Sequence, residues 1–307
     1  MLVLAGSYTS SIMSFRRDPT TGALGEPAPF ASLLNPSWLT RHPHLDVFYA
    51  VSETAEGAVA AFRVDGTALG TQPSHGADPC HLAVDPTGSR LVVANYSGGS
   101  IAVYPLDEAD GSILPAERVE SFGQRAHAHQ VVFHGDRAVV TDLGNDEIRL
   151  YTLDFASWAV AHAPTGCGPR HLVFHPDGHV FATAELGSKV LILDPDLGLI
   201  GAVQATGANV AENFPSGLTL SPDGRFLYVA NRGPDFVTVF AVDGTVLTPL
   251  ADAPCGGMWP RDLAFLGDTL YVANERSDSI VAFRLDAGIP TPTGVFRAPK
   301  PTRVLAV

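Results

Sequence analysis

A strand-building pattern returns seven times along this 307-residue chain, and its seventh copy is divided between the two ends. Together these observations predict an all-β fold, a seven-bladed β-propeller whose N- and C-terminal strands pair in one blade to close the ring. The spacing is the third observation. The residues heading each opening strand are Pro36, Pro79, Ala128, Pro169, Pro215, Pro260 and Pro301, at intervals of 43, 49, 41, 46, 45 and 41 residues. Four short strands with tight turns need roughly 40–50 residues.

The copies follow in order. The divided one reads LVLAGSYTSSIMSFRRD from Leu2 and takes its innermost strand from KPTRVLAV at Lys300. The next is NPSWLTRHPHLDVFYAVSET from Asn35, followed by DPCHLAVDPTGSRLVVANYSGGSIAVYPLD from Asp78 and AHAHQVVFHGDRAVVTDLGNDEIRLYTLD from Ala126. GPRHLVFHPDGHVFATAELGSKVLILD from Gly168, FPSGLTLSPDGRFLYVANRGPDFVTVFAVD from Phe214 and WPRDLAFLGDTLYVANERSDSIVAFRLD from Trp259 complete the set. Within each, apolar residues alternate or form short runs rich in Val, Leu, Phe and Tyr, as strands require. Turn signals such as Asp85-Pro86-Thr87-Gly88, Pro176-Asp177-Gly178 and Pro222-Asp223-Gly224 separate them. No amphipathic helix of three turns is evident. Because closure uses both ends, residues 1–307 read as a single domain.

Charged residues make up only 17% of the chain and hydrophobic ones 46%, which suits extensive burial between blades. The net charge of −13, with scattered basic residues, argues against a nucleic-acid partner. No stretch has the length of a membrane-spanning helix. The N-terminus lacks the basic start and long apolar run of a secretory signal, and it is needed as a strand. Cys80, Cys167 and Cys255 are odd in number and form no CxxC pair, which suits a reducing compartment. The expected location is the cytoplasm. The oligomeric state stays open.

Two columns of residues point at the channel. The residue after each head position is Ser37, Cys80, His129, Arg170, Ser216, Arg261 or Thr302. Two arginines and a histidine in equivalent positions of a ring converge, and arginine offers a planar fork of donors for carboxylate or phosphate. The second column, at the end of the next strand, holds Asn95, Asp142, Asn231 and Asn274, with Ala184 or Glu185 in the fifth copy from the N-terminus. The asparagines read as turn residues that bond their own backbone. Glu185 interrupts an apolar strand, so it needs a cationic partner, and Arg232 is the candidate.

His127 and His129 stand at i and i+2, a spacing that puts both on one face of a strand. Asp142 or Glu185 could add a third ligand, but no cysteine cluster or HExxH accompanies them, so no metal is expected. His42 and His44 lie in a polar turn and read as surface or edge residues. The chain has no GxSxG elbow, Walker loop or dinucleotide-binding glycine signature, and no cofactor is called for.

Several of these segments, NPSWL at 35, DPCHLAVDPTGSRLVVANYSGGSIAVYPL at 78, AHAHQVVF at 126, DLGNDEIRLY at 142, GPRHLVFHPDG at 168, SPDGRFLYVANRG at 221 and WPRDLAF at 259, carry a further meaning. In combination, over nearly the whole chain, the sequence resembles the seven-bladed lactonase propellers. These include the propeller-type 6-phosphogluconolactonases and, more distantly, the fungal carboxy-muconate cyclases. The chain departs from the usual family pattern at Thr219, Pro234 and Ala184. The resemblance implies hydrolysis of a small anionic sugar lactone, 6-phosphogluconolactone, in the pentose phosphate pathway. It places the catalytic role on His129, with His127 close by, Arg170, Glu185 and Arg232; beside it, His127, Arg261, Asp142 and Tyr96 are expected to bind substrate. A neutral His129 would be base and then acid, Glu185 would orient it or act as base, and the arginines would hold the oxyanion or an anionic group. Two rivals remain: a muconate-type cyclase or isomerase, and a non-catalytic scaffold.

Overall fold

The computed structural model describes residues 1–156 and 158–307. They form seven four-stranded antiparallel sheets in a ring. Blade 1 comprises residues 2–32 with 301–306; blades 2 to 7 comprise residues 39–73, 79–121, 128–162, 169–204, 214–254 and 260–297. Among the described residues the only helix is a single 3-10 turn, Glu275–Ser277. In blades 2 to 7 the strands lie in chain order from the channel outward. In blade 1 the innermost strand is instead Pro301–Ala306, which pairs with Leu2–Ser7 through Val3 opposite Ala306 and Ala5 opposite Val304. The terminal strands therefore close the ring, as the divided repeat predicts.

The apolar alternation explains how the blades pack. Both faces of each blade's middle strands are apolar, so each sheet must be covered on two sides. The described residues contain seven apolar clusters, one between each pair of neighbouring blades. Val3, Phe15, Tyr271 and Ile280 join blades 7 and 1; Leu4, Ile12, Phe48 and Phe62 join blades 1 and 2. Buried tyrosines put their hydroxyls to use across these interfaces. Tyr49 of blade 2 donates to the Gly111 carbonyl at 2.8 Å, and Tyr271 of blade 7 donates to the Gly22 carbonyl. Both glycines have positive φ, and an added Cβ would crowd the tyrosine oxygen at about 3.1–3.3 Å.

Near the channel a second belt of bonds crosses from blade to blade. Thr302 donates to the Ser37 carbonyl at 2.7 Å, Cys80 to His129 at 3.3 Å and Thr141 to Arg170 at 2.7 Å. Thr183 donates to Ser216 at 2.9 Å and Ser216 to Pro260 at 2.6 Å. The asparagine column is structural too: the Asn95 amide donates to the Ser74 carbonyl and the Ser100 hydroxyl, and that of Asn231 to Ala205 and Thr238. His42 corrects the sequence reading. It is buried, its Nε2 meets the Gly88 carbonyl of the next blade at 3.0 Å, and its Nδ1 accepts from the amides of His44 and Leu45. A polar turn hid a histidine that fastens two blades.

Removing residues 302–307 should open the ring and bare an apolar strand edge. The packing lost is comparable with the ~5–15 kcal/mol margin of a whole domain, so the cooperative melting transition should disappear or fall sharply. A truncated protein that melts at the wild-type temperature would show that the ring does not need this strand.

Candidate functional site

One backbone device aims the first column into the channel. In blades 3, 4 and 7 the innermost strand bulges at its second residue. Pro79 pairs with Asn95 and His81 with Ala94, which leaves Cys80 outside the ladder. His129 and Arg261 are skipped in the same way, and a longer irregularity skips Arg170. A bulged residue is released from strand alternation and re-aimed. Here the release points Cys80, His129, Arg170 and Arg261 inward.

A second device supplies the other tier. Asn35, Asp78, Gly168, Trp259 and Lys300 each precede a proline with φ between 40° and 63°. Their carbonyls accept the amides of Glu53, Tyr96, Glu185, Glu275 and Tyr8 respectively, at 2.8–3.2 Å. The residue just past the asparagine column is thereby fixed at the channel rim in blade after blade. The cavity of about 210 Å³ is lined by both tiers: Cys80, His129, Arg170 and Arg261 with Tyr8, Glu53, Tyr96, Glu185 and Arg232. Beneath it the channel narrows to a waist of about 10 Å³ shared by His129, Arg170, Glu53 and His171.

Charge organises the cavity. Glu185 Oε2 lies 2.9 Å from Arg170 Nε and 2.6 Å from Arg232 Nη2, so one carboxylate bridges two guanidinium groups. Neither nitrogen finds an aligned acceptor, and Arg170 Nη1 has no protein partner although the residue is buried. The contacts with Glu185 are ion pairs. Burial, and then Arg232, pull the Arg170 guanidinium down to about 9, which leaves it charged at neutral pH. Arg232 is pulled down by burial against the pull of Glu185. Across the cavity Arg261 donates to the Tyr8 hydroxyl at 2.8 Å and contacts Glu275 at 3.4 Å. Burial lowers Arg261, but Tyr8, Glu275 and Glu53 together lift it above the usual range. Three arginines and two glutamates line the cavity, and a third glutamate, Glu275, stands against Arg261.

His129 is buried, with its Nδ1 unpaired and its ring edge-on to Tyr96 at 5.8 Å. Burial first, then Arg170 and Arg261, hold it well below the usual histidine range, so the imidazole is neutral at pH 7. His171 lies 5.1 Å from it between ring centres and His81 a further 5.6 Å on, both held down by burial and nearby arginines.

The structure brings His129, Arg170, Glu185, Arg232, Arg261 and Tyr96 together. It does not bring Asp142 or His127 into the cavity. Asp142 is fully buried, and its oxygens accept the His127 and Asn145 amides and the Asn145 side chain, which ties down a turn. His127 precedes the strand Ala128–His134, stacks on Tyr96 at 4.4 Å and meets its carbonyl with Nδ1. The bulge between Ala128 and Gln130 breaks the i, i+2 alternation, so the two histidines do not share a face. Among the described residues no group of three or more His, Cys, Asp and Glu is placed to hold a metal ion. The ladder pairs Pro169 with Ala184, which places Ala184 in the asparagine column and Glu185 one residue beyond it. Tyr8 and Glu53 escaped the sequence reading. The signal was available: moved one residue on, the second column reads Tyr8, Glu53, Tyr96, Leu143, Glu185, Arg232, Glu275.

Residues 2–306 match the family model described as lactonase, 7-bladed β-propeller. The 6-phosphogluconolactonase of Bacillus subtilis is 32% identical over 294 residues, covering 85% of this chain and 83% of the relative. The 6-phosphogluconolactonase of Formosa agariphila is 30% identical over 269 residues, 76% of each. Among solved structures, the periplasmic gluconolactonase of Pseudomonas aeruginosa is similar with a TM-score of 0.90 at 28% identity, over 99% of both chains.

The three buried histidines make a prediction about stability. Their folded pKa values lie below the unfolded value near 6.5, so the unfolded chain binds more protons below that pH. The stability they confer is complete above about pH 6.5 and is lost as pH falls towards their folded values, by up to about 1.4 kcal/mol per pH unit for each. Denaturant midpoints should therefore drop steeply from pH 6.5 to 5, and His171→Phe should shallow that slope by about one proton. A flat midpoint over this interval would contradict the burial of neutral imidazoles.

Proposed function

The chain belongs to the seven-bladed β-propeller lactonase family, and from that premise we propose that its channel cavity hydrolyses 6-phosphogluconolactone to 6-phosphogluconate, a step of the pentose phosphate pathway. The observation that carries this reading is a neutral, buried His129 beside a charged Arg170 whose Nη1 has no protein partner. The reaction needs a base to take a proton from water and a fixed cation where the carbonyl oxygen gains charge. His129 takes the water proton as its oxygen attacks the lactone carbonyl. Arg170 receives the developing oxyanion. Glu185 has one oxygen between two guanidinium groups, so it anchors both arginines rather than acting as base. Arg232, with Trp259 under its guanidinium at 5.4 Å, and Arg261 hold the phosphate end. A cytoplasmic setting belongs to the same proposal and is supported by three free cysteines.

Arg170→Ala should lower kcat/KM on 6-phosphogluconolactone about 10²-fold or more over the spontaneous background, the typical cost of losing an oxyanion donor. Arg170→Lys should recover little, since a point charge does not reproduce the planar fork. Chelators should leave the rate unchanged. Wild-type protein indistinguishable from buffer would reject the substrate assignment, and full activity in Arg170→Ala would reject the mechanism.

A further inference from the structure

Hydrolysis of an aldonolactone needs a second proton transfer. The bond that breaks releases a sugar alkoxide, a strong base, and an alkoxide leaves slowly unless it is protonated as it departs. The cavity offers two carboxyl groups for this, and their surroundings differ. Glu185 is held between the guanidinium groups of Arg170 and Arg232. Glu53 has no ion pair among the described residues. It receives the neutral Tyr8 hydroxyl, at 3.0 Å on Oε1 and 3.2 Å on Oε2. Arg261 stops one step short: its Nη2 goes to Tyr8 and its Nη1 to Glu275. Glu53 also borders both the cavity and the waist, as His129 does.

We propose that Glu53 is the acid that protonates the departing ring oxygen, held in place by Tyr8 and Arg261; this rests on lactone hydrolysis as the reaction of the cavity. The step balances. His129 takes a proton from water, and the hydroxide oxygen bonds to the carbonyl carbon, with the carbonyl electron pair moving onto oxygen. When the tetrahedral intermediate collapses, the carbonyl re-forms and the ring carbon–oxygen bond breaks. Its electron pair goes to the ring oxygen, which takes the proton from Glu53. His129 then sheds its proton to solvent, and Glu53 regains one.

The electrostatics fit the two roles. Burial raises the Glu53 carboxyl above its ordinary value; Ser37, Arg261 and Tyr8 hold back part of that rise and Asp78 adds to it. The titratable groups that line the waist with Glu53 from the other blades are the Cys80 thiol, His129, Arg170, His171 and Arg261. His129 is pushed down and Glu53 up, so each shift moves its group toward the form that its role needs.

The test is the pH dependence of kcat/KM on 6-phosphogluconolactone, corrected for spontaneous opening. In wild type the alkaline limb reports loss of the Glu53 proton. Glu53→Gln keeps an acceptor for Tyr8 but cannot donate an acidic proton, so it should lower the rate about 10²-fold or more and abolish that limb. Tyr8→Phe removes a bond that favours the Glu53 anion, so it should move the limb to higher pH. Glu53→Gln within threefold of wild type, or an alkaline limb unmoved in either variant, overturns the proposal. If Glu53→Gln fails to fold, the limb in Tyr8→Phe decides. An inactive wild type rejects the lactonase reading itself, whereas an active wild type with an indifferent Glu53 rejects only this role.

Discussion

Everything in the molecule depends on one strand, Pro301–Ala306, pairing with Leu2–Ser7. A propeller blade is an apolar sheet with two faces to cover, and only a closed ring covers both faces of every blade. The contact is made by ordinary ladder bonds between the two ends of the chain and backed by Val304 packing with Val3 and Ala5. Open that seam, and the clusters on both sides of blade 1 meet water. The seven apolar interfaces are in this sense a single cooperative unit whose last member is added by the last residues of the chain.

The closed ring turns a difficulty into a site. Its channel is narrow and Arg170, Arg232 and His129 are buried in its wall, so charges placed there are costly unless they answer one another. Glu185 answers Arg170 and Arg232 together, while Tyr8 and Glu275 answer Arg261. The result is a cluster of matched charges in which Arg170 Nη1 keeps no protein partner.

The ring and its closure were legible in the sequence because they rest on period and alternation, which a repeat displays directly. Four residues that line the cavity, His129, Arg170, Glu185 and Arg232, were legible because they stand at repeated offsets from recurring motifs. The remainder turned on features a linear pattern does not display. The bulge after Ala128 inserts one residue into the count, so His127 and His129, which alternation would place together, part company. Asp142 sits where its neighbours in the column sit, yet a turn consumes its oxygens. Glu53 and Tyr8 meet across 45 residues of chain, in blades 1 and 2, and nothing in either segment alone announces the other. His42 looked exposed because its partner, the Gly88 carbonyl, belongs to the next blade.

The bulges carry an evolutionary consequence. Cys80, His129, Arg170 and Arg261 stand outside the ladder that holds their strands, so an exchange of side chain there removes no strand pairing. The corresponding places at Ser37, Ser216 and Thr302 now carry small hydroxyl residues. Selection can therefore exchange the side chains of His129, Arg170 and Arg261 without touching the bonds that Cys80, Ser216 and Thr302 make across the blades. A lineage built on this plan can diverge in the molecules it transforms long before it diverges in shape.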